Sequence, residues 1–198
     1  MENRTKSEGN RRLVIGMSGA SGAILGIELL KVLKTIPEWE SHLVISKGAE
    51  ETIRLETDYS LDDVRSLADK VYSIKDIGAT IASGTFKTEG MIIIPCSMKT
   101  VAGIAGGYSD NLLLRAADVI IKERRKLVII ARESPFSQIH LKNMLYLDQL
   151  GATIMPPMVT YYNNPNDLND MNRHIIGKIL DKLGIEIVGF KRWGETVI

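Results

Sequence analysis

A single cysteine, Cys96, stands in 198 residues, so no intramolecular disulfide can form and the chain suits a reducing compartment. Histidine is nearly as scarce. His42, His140 and His174 are scattered, no Cys/His/carboxylate spacing resembles a metal site, and a satisfied structural role is expected for each. Charge of one sign is missing too: 25 basic residues face 24 acidic ones for a net +1, which argues against a nucleic-acid or membrane surface. No apolar stretch approaches the ~20 residues of a spanning helix. The first ten residues carry Glu2 and Glu8 and lack the apolar core of a secretory signal and the acid-poor character of a transit peptide. The cytoplasm is the expected location. Without an internal repeat, low-complexity tract or dividing linker, one domain over 12–194 is expected, between flexible tails at 1–11 and 195–198.

Hydrophobic patterning supplies the architecture. Leu13 to Met17 is a short apolar run, followed by small residues and then by Leu25, Leu29, Val32, Leu33 and Ile36 at helical spacing: strand, tight turn, helix. His42 to Ser46 predicts a second strand, and Ser60-Leu61-Asp62-Asp63 has the form of a capping box opening a helix through Leu67. Gly90 to Pro95 and Leu127 to Ala131 are uniformly apolar, as strands covered on both faces are. Between them Asp110 is placed to cap a helix bearing Leu113, Ala116, Ala117, Ile120 and Ile121. Further helices are expected from about Ser137 to Leu150 and from about Asp167 to Leu183, with a short strand at Ala152 to Met155. The pattern predicts an α/β fold with a single open, mostly parallel sheet and helices on both faces.

In such sheets ligands bind beyond the carboxyl ends of the strands. There the sequence sets Ser18-Gly19-Ala20-Ser21-Gly22-Ala23, Ser46-Lys47-Gly48, Pro95-Cys96-Ser97-Met98-Lys99-Thr100 and Ala131-Arg132-Glu133-Ser134-Pro135. The first loop enters a helix, so its free N–H groups and the helix dipole suit a phosphate, with Gly19 and Gly22 admitting the ligand to the main chain. It is neither the dinucleotide fingerprint nor a P-loop. Cys96 has no base assigned to it and reads as a small buried residue. Lys122-Glu123-Arg124-Arg125-Lys126 reads, taken alone, as a solvated helix end.

Taken together, these segments resemble the flavin prenyltransferase family, the UbiX and Pad-type FMN-binding proteins, from about Arg12 to Gly194. The resemblance rests on Gly-Met-Ser-Gly-Ala-Ser-Gly-Ala at 16–23, Ala-Ser-Gly-Thr-Phe at 82–86, Pro-Cys-Ser-Met-Lys-Thr at 95–100, Arg-Ala-Ala-Asp-Val at 115–119, Lys-Glu-Arg-Arg at 122–125, Arg-Glu-Ser-Pro at 132–135, Ile-His-Leu-Lys-Asn-Met-Leu at 139–145, Tyr-Tyr-Asn at 161–163 and Arg-Trp at 192–193. It implies a Rossmann-like flavoprotein that joins the dimethylallyl group of dimethylallyl monophosphate to N5 and C6 of reduced FMN, releasing phosphate without a metal. Prenylated FMN would then pass to a UbiD-type decarboxylase. Relatives form dodecamers with sites built at subunit contacts, so a homododecamer is implied here.

By matching position, the resemblance implies FMN contacts at Gly19, Ala20, Ser21, Ser46, Ser97, Met98, Lys99, Thr100 and Arg132. It sets the prenyl phosphate against Ser83, Arg115, Lys122, Arg132, Tyr162 and Lys178. Glu133 looks like the acid that meets the leaving phosphate, Glu56 like a second carboxylate in the proton path, and Ser21 like a neighbour of flavin N5. Two residues depart from the usual pattern: Lys178 replaces the common Arg and gives up its bidentate fork, and Lys142 replaces the common Glu. Two competing readings are an FMN-dependent cysteine-type decarboxylase, which needs a catalytic histidine and a Pro-Ala-Ser-Ala-Asn-Thr type segment, and a non-catalytic flavin-carrying subunit, which needs no second phosphate pocket.

Overall fold

The computed structural model describes residues 11–190 and 192–194. The tail expectations at 1–10 and 195–198 lie outside the described residues. Six strands form one sheet: β1 (Arg11–Met17), β2 (Trp39–Ile45), β3 (Lys70–Tyr72), β4 (Gly90–Cys96), β5 (Lys126–Ala131) and β6 (Thr153–Ile154). Every pairing is parallel and the order is β3-β2-β1-β4-β5-β6. Among the described residues seven α-helices accompany them, six between strands and the last after β6: α1 (Ala23–Lys34), α2 (Lys47–Glu56), α3 (Leu61–Ser66), α4 (Met98–Ala105), α5 (Leu112–Lys122), α6 (Gln138–Gln149) and α7 (Leu168–Asp181).

Strand alternation builds two cores. Leu13, Ile15, Ile92, Ile94, Val128 and Ile130 pack with α1, α2, α3 and α7 on one face. Val14, Met91, Ile93, Leu127 and Ile129 pack with α4, α5 and α6 on the other. This two-sided burial is why the strands read as continuous apolar runs and not as alternating ones. Helix α1 lies very close to the sheet, since a Cβ on Gly26 would come within 2.8 Å of the Ile94 carbonyl oxygen.

Several boundaries differ from the sequence reading. β1 begins at Arg11, a residue assigned to the tail, because its N–H bonds the Glu38 carbonyl and pairs the strand end with β2. The cap of α5 is Asn111, whose Oδ1 accepts the Leu114 N–H at 3.1 Å; Asp110 instead accepts from the Asn111 amide at 2.8 Å. Helix α7 ends at Asp181 rather than Leu183. Helices α2 and α4 and strand β3 were not anticipated. α2 buries only Ala49 and Ile53, and α4 is built largely of small residues, so neither shows a long apolar stripe. The expected capping box at Ser60 and Asp63 is present.

Candidate active site

The strand order reverses between β1 and β4, and that switch point opens a crevice at their carboxyl ends. Ser18, 1% exposed, ties the two loops there. Its N–H donates to the Pro95 carbonyl at 3.1 Å and its Oγ accepts the Ser97 N–H at 2.8 Å. The sequence reading did not single out Ser18; a hydroxyl closing an apolar strand just before glycine was its only signal. The β2 loop meets the same place, where a Cβ on Gly19 would sit 2.8 Å from Gly48 Cα. Gly19 is therefore required by contact between two backbones, and Gly22 by its φ of 99° at the cap of α1.

The helix that was to receive a phosphate already holds an anion. The Glu56 carboxylate accepts the N–H groups of Gly22 at 2.8 Å and Ala23 at 3.1 Å, at the start of α1. This corrects the expectation that those N–H groups are free for a phosphate; Glu56 closes α2, 34 residues away, and only the packing of α2 on α1 brings it there. Burial is the largest single influence and pushes its carboxyl up, but the Gly22 N–H, the Ser21 hydroxyl, the Ala23 N–H and the Arg132 charge together bring it below the ordinary range. Glu56, Ser21 and Arg132 thus form one cluster, with Glu56 ionised at neutral pH.

As an N-terminal cap, Glu56 contributes stability of about 1 kcal/mol. Its folded-state carboxyl lies below its ordinary value of 4.5, so that contribution is complete above this value and disappears as pH falls through the folded one. Glu56→Ala is therefore expected to lower the urea midpoint at pH 7 and to converge with the unsubstituted protein in acid.

Two other helix N-termini remain available. Ser46 caps α2 by accepting the Ala49 N–H at 3.1 Å, and Ser97 caps α4 by accepting the Thr100 N–H at 3.4 Å. The Ser46 hydroxyl keeps its own proton to donate, while the Ser97 hydroxyl meets Thr100 Oγ1 at 3.1 Å, so that pair has one hydroxyl proton left to give. Ser46 and Ser97 border a cavity of about 880 Å³ that Gly19, Lys99 and Thr100 also line, so five of the nine expected flavin contacts meet there. Ala20 and Met98 are buried, Met98 within the core, which leaves their main chains as the groups able to face a ligand. Lys47 and Lys75, not among the expected contacts, stand on the same wall with Tyr108, and neither they nor Lys99 pairs with a carboxylate among the described residues. At the β5 end, the Arg132 N–H donates to the Cys96 carbonyl at 3.0 Å, and Glu133 accepts the Ser134 N–H at 3.0 Å.

A second group lies at the opposite, amino-terminal end of the strands. Helix α5 runs from the crevice back to the amino end of β5, and Lys122 is its last residue. There Lys122 pairs with Glu123, whose carboxyl it holds low, and both approach the Ser83–Gly84 turn. Arg125 braces that turn through the carbonyls of Gly84 at 2.5 Å and Phe86 at 2.9 Å. Arg115 pairs with Asp118 at 2.7 Å. The length of β5, about 20 Å at ~3.3 Å per residue, separates Lys122 from Arg132, so one chain does not bring the two together. Tyr162 and Lys178 form a third group around His174, with Tyr162 Oη 3.1 Å from His174 Nε2.

The remaining candidates are structural. Cys96 is fully buried and burial pushes its thiol far up, so it is no nucleophile. His140 completes the α6 capping box with Ser137. His42 Nδ1 meets Tyr72 Oη at 2.8 Å, while its buried Nε2 has no hydrogen bond among the described residues. Lys142 makes no ion pair among the described residues.

Comparison with known proteins decides what this arrangement belongs to. The Flavoprotein family profile matches residues 1–183. A probable UbiX-like flavin prenyltransferase of Sedimentibacter hydroxybenzoicus is 56% identical over 185 residues, covering 93% of this chain and 98% of the relative. The chain belongs to the UbiX-like flavin prenyltransferases. Solved members of the family superpose closely. AnUbiX (PadA1), in complex with FMN and dimethylallyl pyrophosphate, has a TM-score of 0.92 at 46% identity, over 94% of this chain and 99% of that one. The dodecameric FMN-dependent UbiX-like decarboxylase of Escherichia coli O157:H7 has a TM-score of 0.91 at 51% identity, over 93% and 100%. The Rossmann-like α/β fold and the family resemblance read from the motifs are thereby established.

Proposed function

We propose that this chain joins the dimethylallyl group of dimethylallyl monophosphate to N5 and C6 of reduced FMN, releasing phosphate and making prenylated FMN for a UbiD-type decarboxylase. The observation that carries the reading is the lysine-walled cavity at the α2 and α4 N-termini, next to a separate rim of Ser21, Glu56, Arg132 and Glu133. The cavity fits a flavin phosphate, since Lys47, Lys75 and Lys99 outnumber Asp110 among its lining residues, Ser46 offers a hydroxyl proton, and Ser97 and Thr100 offer a hydrogen-bonded hydroxyl pair. Reduced FMN supplies the nucleophilic N5 and C6 when bound. Toward it, Gly19, Ala20, Met98 and Thr100 present main chain, Arg132 a cation, and Ser21 a hydroxyl already engaged with Glu56.

The donor's carbon–oxygen bond breaks with its electron pair leaving on phosphate, so cations must meet growing negative charge. Arg115, Lys122, Arg132 and Lys178 serve that end, with Ser83 and Tyr162 as hydroxyl partners. Glu133 gives a proton to the departing phosphate, and ionised Glu56 takes one through Ser21. Within the described residues no three His, Cys, Asp or Glu side chains gather in a way that holds an ion.

Because Lys122 and Arg132 stand at opposite ends of β5, the complete site needs more than one subunit. The E. coli O157:H7 relative is a dodecamer, and we assign the same assembly here. Helix α6 presents Ile139, Leu141, Leu145 and Tyr146 at 69%, 53%, 59% and 48% exposure, an apolar face that such contacts would cover. None of the described helices is long and apolar enough to cross a membrane. With one buried cysteine and balanced charge, we place the enzyme in the cytoplasm.

None of the three histidines lines the cavity, which disfavours the cysteine-type decarboxylase. The deciding experiment is anaerobic incubation with reduced FMN and dimethylallyl monophosphate, followed by mass spectrometry of the extracted flavin. A gain of one isoprenyl unit is expected; recovery of unmodified FMN alone would reject the proposal.

A further inference from the structure

His174 is a buried ionisable group that the chemistry above leaves unused. It sits on α7 at 5% exposure, and its ring meets Tyr162 edge to face at 5.4 Å. Phe190 covers the imidazole at 5.2 Å, and Trp193 meets Tyr162 edge-on at 5.1 Å. Tyr162 is held on two sides while its ring stays 45% exposed. Its hydroxyl, however, is committed to His174 Nε2 at 3.1 Å.

The direction of that bond decides what Tyr162 can do. Burial, and after it the charge of Lys178 one turn along α7, hold His174 below the ordinary imidazole range, so the ring is neutral at pH 7 and one nitrogen carries the proton. A phenol has a single proton to donate. With Nε2 as acceptor, Tyr162 would spend its proton on His174 and turn only lone pairs toward an incoming phosphate. With Nε2–H as donor, Tyr162 accepts from His174 and keeps its proton for the anion. The second arrangement leaves Nδ1 to accept, which suits the cavity of about 260 Å³ that His174 lines with Asn163 and Arg173, residues with N–H groups to give; the Asp170 carboxylate on the same lining is engaged by the main-chain and side-chain N–H groups of Asn166 at 3.0 and 2.9 Å.

We propose that His174, in its Nε2–H tautomer, is a positioning residue that turns the Tyr162 hydroxyl proton toward the phosphate of the prenyl donor. The inference rests on Tyr162 being a donor contact, as the proposed function has it. It is tested on the FMN-loaded oligomer by calorimetric binding of dimethylallyl monophosphate together with kcat for prenyl transfer. His174→Leu should raise the Kd about fivefold, the worth of one neutral hydrogen bond, with kcat nearly unchanged. His174→Gln, which keeps an N–H donor, should restore binding. Tyr162→Phe should match His174→Leu, and the double variant should bind no worse than either.

An unchanged Kd in His174→Leu, a Gln variant that fails to restore binding, or losses that add in the double variant would each overturn the assignment. FMN retention reports folding, and should His174→Leu lose it, His174→Met takes its place in the cycle. The binding series needs no turnover. A normal series without any prenylated flavin would reject the enzymatic reading alone, and prenyl transfer with an aberrant series would reject the role of His174 alone.

Discussion

Glu133→Gln is expected to cut the rate of prenyl transfer by about 10²- to 10⁴-fold, the range associated with one positioned general acid. FMN binding should survive. The side chain is exposed at the carboxyl end of β5, where it accepts only the Ser134 N–H, so its loss disturbs no core packing. Glutamine has the same shape and still accepts that hydrogen bond, but it has no proton to give a departing phosphate. Single-turnover measurement of adduct formation on FMN-loaded protein separates the two effects. A normal rate would remove Glu133 from the chemistry, and loss of FMN would make it a binding residue.

Mixed oligomers of Lys122→Ala and Glu133→Gln chains are expected to recover activity that neither variant shows alone. Lys122→Ala removes a cation from the leaving phosphate and should lower kcat/KM by about 10²- to 10³-fold. Lys122 and Glu133 stand at opposite ends of β5, too far apart within one chain to touch the same donor. If each site draws Lys122 from one subunit and Glu133 from another, random mixing in a symmetric assembly leaves about a quarter of sites with both native residues. Co-refolding or co-expression of the two chains, then assay of the mixed assembly, reads this directly. Activity no higher than that of the single variants would mean that every site is built from one chain, and the proposed assembly of the site would fail.

Much of the candidate site was legible residue by residue, and much of its geometry was not. Ser46, Ser97, Lys99 and Thr100 could be placed on one rim because each follows a strand whose apolar run is unmistakable, and all four border the cavity. Gly19, which lines the same cavity, carries a further constraint from Gly48, a residue of another loop, which no local pattern reveals. The same holds for the bonds of Glu56, which the resemblance named as a carboxylate of the proton path but whose helix α2 was not expected. Its partners Gly22 and Ala23 lie 34 and 33 positions earlier. Lys47 was set on the rim but not among the expected contacts, and Lys75 carried no signal, since an exposed lysine near a strand end looks like any other surface lysine.

From the order of residues alone came the alternation of buried strands and helices, the parallel sheet, the rim at its carboxyl end, and motifs that mark the family. These follow from local periodicity and from short segments whose spacing is preserved along the chain. Tertiary structure decided that α1 is capped by Glu56, that the free helix N-termini are those of α2 and α4, and that Lys122 and Arg132 are kept apart by the length of β5. The reason is physical. Periodicity records which face of an element is buried, whereas the partner of a charge or of a free N–H is chosen by how elements distant in the chain pack together.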